Sequence, residues 1–287
     1  GDVAPRAYRL AWRQIRKLAS SVVNKEITKA AEGITFPHVK GEKFINAIPD
    51  EPLSEDDVVA MSDHLHETLD QKMDKSLLSG VVYWGTQNHH STLMKVLNTH
   101  LWSNPLFADY FGATRKMESE IVNMGLKLFN ATDDDCCATY TMGGSESCIL
   151  AVLAYRNRGL AEGIEEPEMI VPSTAHPAFH KACEYFRMRV VTVHPDPETL
   201  RIPIEEVEKS ITSSTVAMVG SCPNFPFGVI DDMKGLSDLA LKYNIGLHSD
   251  ACLGGWIIQF MERAGFEQKV IDFRMPGVTS ISADIHK

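Results

Sequence analysis

From about residue 114 the chain alternates short β-rich runs with segments of helical length, and that alternation decides the fold class. The runs are CATYT (137–141), EMIV (168–171), RVVTV (189–193), TVAMVG (215–220), IGLHSD (245–250) and TSISAD (279–284). Between them lie helical stretches over 176–187, 203–211 and 232–243, and one carrying Ile149, Leu150, Leu153 and Ala154 on one side. A further helix with Met117, Ile121, Met124 and Leu128 comes first. Strands that alternate with helices are joined by crossovers and lie parallel. The chain is therefore α/β with a mainly parallel sheet, and its 44% hydrophobic content supplies a large core. No internal repeat or low-complexity segment interrupts the pattern.

The first part of the chain reads differently. Residues 5–30 form an amphipathic helix, and 54–76 another, where Ser54 and Asp57 make a capping-box-like start and Val58, Met61, Leu65, Leu69 and Met73 share a face. Residues 34–53 mix Pro, Gly and charge without a helical period, which marks a loop that wraps over another surface. We place a helical N-terminal extension over 1–110 and the main domain over 111–287.

Charge excludes one class of partner. The net charge of −10 argues against nucleic acid, which is bound by clustered Lys and Arg. Residues 1–30 run the other way, with seven basic residues against Asp2 and Glu26. Such a helix is a solvated face or, more sharply, a polybasic stretch on an anionic membrane surface. No run reaches the ~18 apolar residues of a membrane span, and no signal-peptide pattern opens the chain. Because the sequence begins at Gly1 rather than Met, we expect a membrane-spanning segment upstream. Six dispersed cysteines without a C-x-x-C pair suggest a reducing compartment. The pairs His64/His66 and His89/His90 lack partners at ligand spacing, so no metal is expected.

Ligands of open parallel sheets sit beyond the carboxyl ends of the strands, and four places there stand out. Thr141-Met-Gly-Gly-Ser145 precedes a helix, so two glycines and unpaired N–H groups make a phosphate cup, or only a tight turn. His176 follows EMIV and can stack on a planar ring or cap a helix. Asp250 closes IGLHSD and can pair with a protonated ring nitrogen or cap the next helix. Lys287 ends Ser-Ala-Asp-Ile-His-Lys directly after a strand, where a lysine of lowered pKa attacks an aldehyde. Together these are the four parts of a pyridoxal-phosphate site. The dinucleotide and Walker fingerprints are missing, which makes a nucleotide-binding module remote.

These strings make the sequence recognisable. YWGTQ and WSNPL (83–87, 102–106), RKMESEIV (115–122), GGSES (143–147), AHPAFHKACEYF (175–186), FPFGVID (225–231), HSDACLGG (248–255), FMERAGFE (260–267) and DFRMPGVTSISADIHK (272–287) resemble the group II decarboxylase branch of the fold-type I pyridoxal-phosphate enzymes. Within that branch they are most similar to the sphingosine-1-phosphate lyase family.

The resemblance implies that Lys287 holds pyridoxal 5'-phosphate as a Schiff base, Asp250 pairs with the pyridinium nitrogen and His176 stacks on the ring. Gly144, Ser145 and His286 then hold the cofactor phosphate. It further implies a homodimer with shared active sites, in which residues 1–110 embrace the partner and Tyr83 and Asn104 reach the substrate phosphate. The implied reaction is retro-aldol cleavage of a phosphorylated sphingoid base, such as sphingosine 1-phosphate, to a long-chain aldehyde and phosphoethanolamine. The implied location is the endoplasmic reticulum membrane with the catalytic domain facing the cytosol, or the cytoplasm in a prokaryote. The resemblance also implies a C-terminal small domain beyond Lys287, which the sequence does not contain. Two positions depart from the family pattern: Phe107 and Phe227 stand where histidines are common, which removes cationic donors for a substrate phosphate. The rival readings are an amino-acid decarboxylase of the same branch using the same residues, and a non-catalytic lipid-binding relative.

Overall fold

The computed structural model describes residues 20–25, 45, 47–69, 86–131 and 136–287. Five strands, β1 (Glu168–Pro172), β2 (Arg189–Val193), β3 (Thr215–Ser221), β4 (Gly246–Asp250) and β5 (Val278–Ser282), form one sheet in the order β2-β1-β3-β4-β5. Every neighbouring pair is parallel. β1, β3 and β4 are buried at every position, whereas β2 and β5 are buried only in part. Fully buried strands therefore occupy the centre of the sheet and partly buried ones its edges, as expected when helices cover both faces.

The helices in chain order are α1 (Glu55–Leu69), α2 (Gln87–His100), α3 (Gly112–Leu128), α4 (Gly144–Ala161), α5 (Ala178–Tyr185), α6 (Ile204–Lys209), α7 (Met233–Tyr243) and α8 (Gly255–Ile258). Strand alternation feeds two cores. Ile170, Met218 and Leu247 pack with Val207, Leu236 and Ile258 on one side. Met169, Val171, Ala217 and Val219 pack with Val152 of α4 and Phe179 of α5 on the other. The connection from β2 to β3 crosses behind β1, so the strand order reverses between β1 and β3, the switch point where such sheets open a crevice.

The chain divides into two compact units, Gly1–Ser79 and Gly80–Lys287. In the first, α1 begins as the sequence reading expects: the Asp57 amide donates to Ser54 Oγ at 3.1 Å, and Ser54 Oγ donates to Asp57 Oδ2 at 2.6 Å. Residues 20–25 are helical, while the rest of the helix expected over 5–30 lies outside the described residues. No helix among the described residues is long and apolar enough to cross a membrane.

Two expectations need correction. CATYT forms no strand: residues 137–140 are exposed and pair with no neighbour, and a β-prone run without a cross-strand partner has nothing to fix it. α4 buries Cys148, Val152, Tyr155 and Gly159 rather than the expected face, and Leu150 is 38% exposed. α4 carries apolar residues around much of its circumference, so spacing alone does not select its face. The helix expected with Met117, Ile121, Met124 and Leu128 forms as α3, with Ile121 and Leu128 half-buried and Met117 and Met124 exposed.

The face of α4 is set by Tyr155, whose hydroxyl bonds Thr279 Oγ1 at 2.7 Å and Ser280 Oγ at 2.6 Å. Its ring lies against Gly246, where an added Cβ would sit 2.1 Å from Cε1. Because the hydroxyl is tethered, the ring cannot yield. Gly246→Ala is expected to destabilise the protein by about 1–3 kcal/mol, the range for overpacking, read as a lower urea midpoint at unchanged slope.

Candidate active site

The carboxyl ends of β1, β3, β4 and β5 deliver His176, Ser221, Asp250 and the Ser282–Lys287 segment to one side of the sheet. The amino end of α4 joins them. A Cβ on Gly144 would lie 2.8 Å from each Asp284 carboxylate oxygen and 2.9 Å from Cys252 Sγ, so only glycine permits this approach. Gly143 holds φ at +141°, a conformation that L side chains rarely adopt. The two glycines thus form a close cradle whose N–H groups open an 18-residue helix at its positive end.

Lys287 stands beside that cradle. Its Nζ lies 2.8 Å from Asp284 Oδ2, with the lysine side chain 24% exposed and the aspartate 4%. Asp284 carried no role in the sequence reading. Its place three residues before the lysine was the available signal, since both sit past the same strand end. His286 is largely exposed, with Nε2 3.8 Å from Asp284 Oδ2.

Asp250 is 6% exposed. The Cys252 amide donates to its Oδ1 at 3.2 Å and Ser282 Oγ donates to the same oxygen at 3.4 Å. Both hydrogen bonds fall on one oxygen, which leaves Oδ2 for a further partner. Asp250 and Ser282 are paired across β4 and β5, and Ser221 pairs with Asp250 from β3, so the three side chains form a row. His248 extends the row's support: Nε2 lies 3.0 Å from Ser282 Oγ and Nδ1 2.7 Å from Ser280 Oγ. Sequence reasoning missed Ser282 and His248, although both lie in strings singled out for other members.

The hydrogen bond from the Cys252 thiol draws Cys148, in the second turn of α4, down to about 6 against the effect of burial. The same contact, with burial and the Asp250 charge, pushes Cys252 up.

The remaining expected residues divide. His176 is half-buried, and its Nδ1 accepts from the Ala178 amide at 3.1 Å, which fixes the ring and places the proton of the neutral imidazole on Nε2. It is thus a cap of the α5 entry, and the capping role orients it. Ser145 is exposed in the first turn of α4. Asn104 is exposed, and its Oδ1 accepts from the Leu106 amide at 3.1 Å. Phe107 and Phe227 are 53% and 49% exposed. Tyr83 lies outside the described residues.

Comparison with known proteins settles the lineage. The profile of the pyridoxal-dependent decarboxylase conserved domain matches residues 49–287. The chain belongs to the pyridoxal-dependent decarboxylase family. It is 41% identical to the Saccharomyces cerevisiae sphingosine-1-phosphate lyase, over 96% of this chain and 48% of that protein. It is 39% identical to sphingosine-1-phosphate lyase 1 of Rattus norvegicus, over 96% and 49%. The chain spans about half the length of the curated relatives it matches. Among solved structures, a Burkholderia pseudomallei sphingosine-1-phosphate lyase matches with TM-score 0.81 and 34% identity, over 88% of this chain and 60% of that one. A Lactobacillus brevis glutamate decarboxylase, at 22% identity and TM-score 0.74 over 86% and 58%, shares the fold. The fold is that of fold-type I pyridoxal-phosphate enzymes.

The site of this family member fits its cofactor on its own geometry. The N–H groups after the Gly143-Gly144 turn open α4 at its positive end, and Asp250 presents a buried carboxylate with one oxygen to spare. Two hydroxyls at the same sheet end, Thr174 Oγ1 and Ser221 Oγ, are buried without a hydrogen-bond partner, as expected of groups that wait for a polar ligand.

Proposed function

We propose that the full-length protein is a pyridoxal-phosphate-dependent aldehyde-lyase that cleaves a phosphorylated long-chain base between carbons 2 and 3. The observation that carries the reading is Lys287 Nζ held against Asp284 beside the glycine cradle, with Asp250 buried on the adjacent strand. The similarity to sphingosine-1-phosphate lyases over 96% of the chain supports the substrate class.

When bound, pyridoxal phosphate supplies the electron sink for the bonding pair released as carbons 2 and 3 part. Lys287 would hold the cofactor covalently through Nζ. Asp284 Oδ2, 2.8 Å from Lys287 Nζ, can accept a proton from the ammonium. Asp250 holds a proton on the ring nitrogen by opposing charge. The amides of Gly144 and Ser145, with His286, bind the cofactor phosphate at the positive end of α4. His176, steadied through Nδ1, offers its face for stacking.

The same reading includes a homodimer in which Tyr83 and Asn104 of one copy reach the substrate phosphate of the other. α2 has no buried residue, and Leu93, Leu97, Trp102 and Leu106 are exposed around it, which suits a surface covered by a second copy. Asn104 spends only its oxygen locally, leaving two N–H donors for a phosphate. The basic residues before position 30 suit an anionic membrane surface, consistent with a place on the endoplasmic reticulum.

The test is incubation of full-length protein with a phosphorylated sphingoid base and, separately, with aromatic amino acids. Equal amounts of long-chain aldehyde and phosphoethanolamine are expected. Carbon dioxide from an amino acid without aldehyde from the lipid would assign the protein to the decarboxylases, a reading that Phe107 and Phe227 favour. Those positions also yield a graded prediction. Phe107→His restores a cationic donor at an exposed position, so KM for the phosphorylated substrate is expected to fall roughly 3–10-fold at unchanged kcat. Steady-state kinetics at a pH that protonates the imidazole, and again above it, checks this.

A further inference from the structure

The sulfurs of Cys148 and Cys252 and a carboxylate oxygen of Asp250 lie within 4.8 Å of one another, and all three residues are buried. They come from α4, from the loop after β4 and from the end of β4 itself. A tetrahedral zinc ion with Zn–S bonds of about 2.3 Å sets its ligand atoms roughly 3.8 Å apart, so small side-chain rotations suffice to close the trio around a cation. Two thiols select soft d10 ions over magnesium or calcium.

Ser282 Oγ touches every member: 3.2 Å from Cys252 Sγ, 3.4 Å from Asp250 Oδ1 and 4.0 Å from Cys148 Sγ. His248 Nε2 stands 3.0 Å behind it. Metal-binding carboxylates are commonly steadied by such a hydroxyl, backed in turn by a second polar group. The other buried cysteines offer no comparable set. Burial alone pushes Cys183 up to about 11, and burial first, with the Asp231 and Asp250 charges, raises Cys222.

We propose that Cys148, Cys252 and Asp250 form a binding site for a thiophilic divalent cation of the zinc class, and that cation and cofactor exclude one another because both require Asp250. The second clause rests on the role given to Asp250 under the proposed function; the first does not. Exclusion follows from charge as well as space. A bound dication takes up the carboxylate that would otherwise oppose the pyridinium charge, so the ring nitrogen loses its partner and the cofactor its hold.

Cadmium is the probe, because cadmium–thiolate bonding gives an ultraviolet charge-transfer band. Full-length protein, reduced and stripped of cofactor, is titrated with cadmium in a Cys136→Ser/Cys137→Ser background that removes the vicinal surface thiols. One equivalent per chain is expected, displaceable by zinc, with the band lost in Cys148→Ala and in Cys252→Ala. Retained circular dichroism in either variant shows that loss of the band is not loss of fold. Prior loading with pyridoxal phosphate is expected to weaken cadmium binding at least tenfold. A stoichiometric band that survives Cys148→Ala overturns the site, as does a reduced protein that takes up no cadmium. Simultaneous saturation with cadmium and cofactor overturns the exclusion. If the cation-free protein never acquires the visible absorbance of lysine-bound cofactor, the functional reading fails, while the Cys148→Ala comparison still decides the cation site.

Discussion

Full-length protein carrying Lys287→Ala is expected to lose the visible absorbance of lysine-bound cofactor together with at least ~10³-fold of its turnover, the scale seen when a covalent nucleophile is deleted. The structure adds a second consequence. Lys287 Nζ is 2.8 Å from Asp284 Oδ2, and Asp284 is 6% exposed, so removing the ammonium leaves a buried carboxylate short of its cation. Stability should therefore drop along with activity, which would confound a single variant. Lys287→Arg separates the two, because guanidinium preserves the charge against Asp284 but cannot anchor the cofactor. The expected pattern is a thermal midpoint near wild type for Lys287→Arg, a lower one for Lys287→Ala, and neither absorbance nor turnover in either. Turnover within tenfold of wild type in both variants would remove Lys287 from the chemistry.

The sheet was largely legible in the sequence because its signals are local. RVVTV reads as a strand over 189–193 and forms β2 across the same residues, and EMIV extends by one residue into β1. The carboxyl-end rule places Asp250 and Lys287 at one end of the sheet, whereas Gly144 follows CATYT, which forms no strand, and reaches the same end through α4. What escaped was set by contacts distant in sequence. α4 turned Tyr155 inward because Thr279 and Ser280 offered hydrogen-bond partners more than 100 residues away, a choice that helical spacing cannot see. CATYT has strand-like composition but no ladder among the described residues, and composition alone does not supply a neighbour. Asp284, Ser282, Cys148 and Cys252 were visible as residue types. The meeting of Ser282, Cys148 and Cys252 around Asp250, and of Asp284 with Gly144, depends on the register of β4 against β5 and on how closely Gly144 lets α4 approach.

Asp250→Asn is expected to lower kcat by roughly 10³-fold while leaving the fold and the covalent cofactor in place. The prediction turns on the division of labour between the two carboxylate oxygens. Oδ1 accepts from the Cys252 amide and from Ser282, and an asparagine oxygen can take over both bonds without movement. Oδ2 has no partner among the described residues and faces the role that asparagine cannot fill, since its amide donates rather than opposes a positive charge. Two unit charges about 4 Å apart at an effective dielectric of ~20 interact by roughly 4 kcal/mol, which is a factor of about 10³ in rate if the charge is needed only as the bond breaks. Asp250→Ala should be worse for a different reason, because it strands the buried Cys252 amide and loosens the loop that positions Cys252 itself. The pair of variants therefore distinguishes electronics from structure. If Asp250→Asn keeps kcat within tenfold while Asp250→Ala loses stability, Asp250 is a cap for the loop after β4 and the ring nitrogen must find its charge elsewhere.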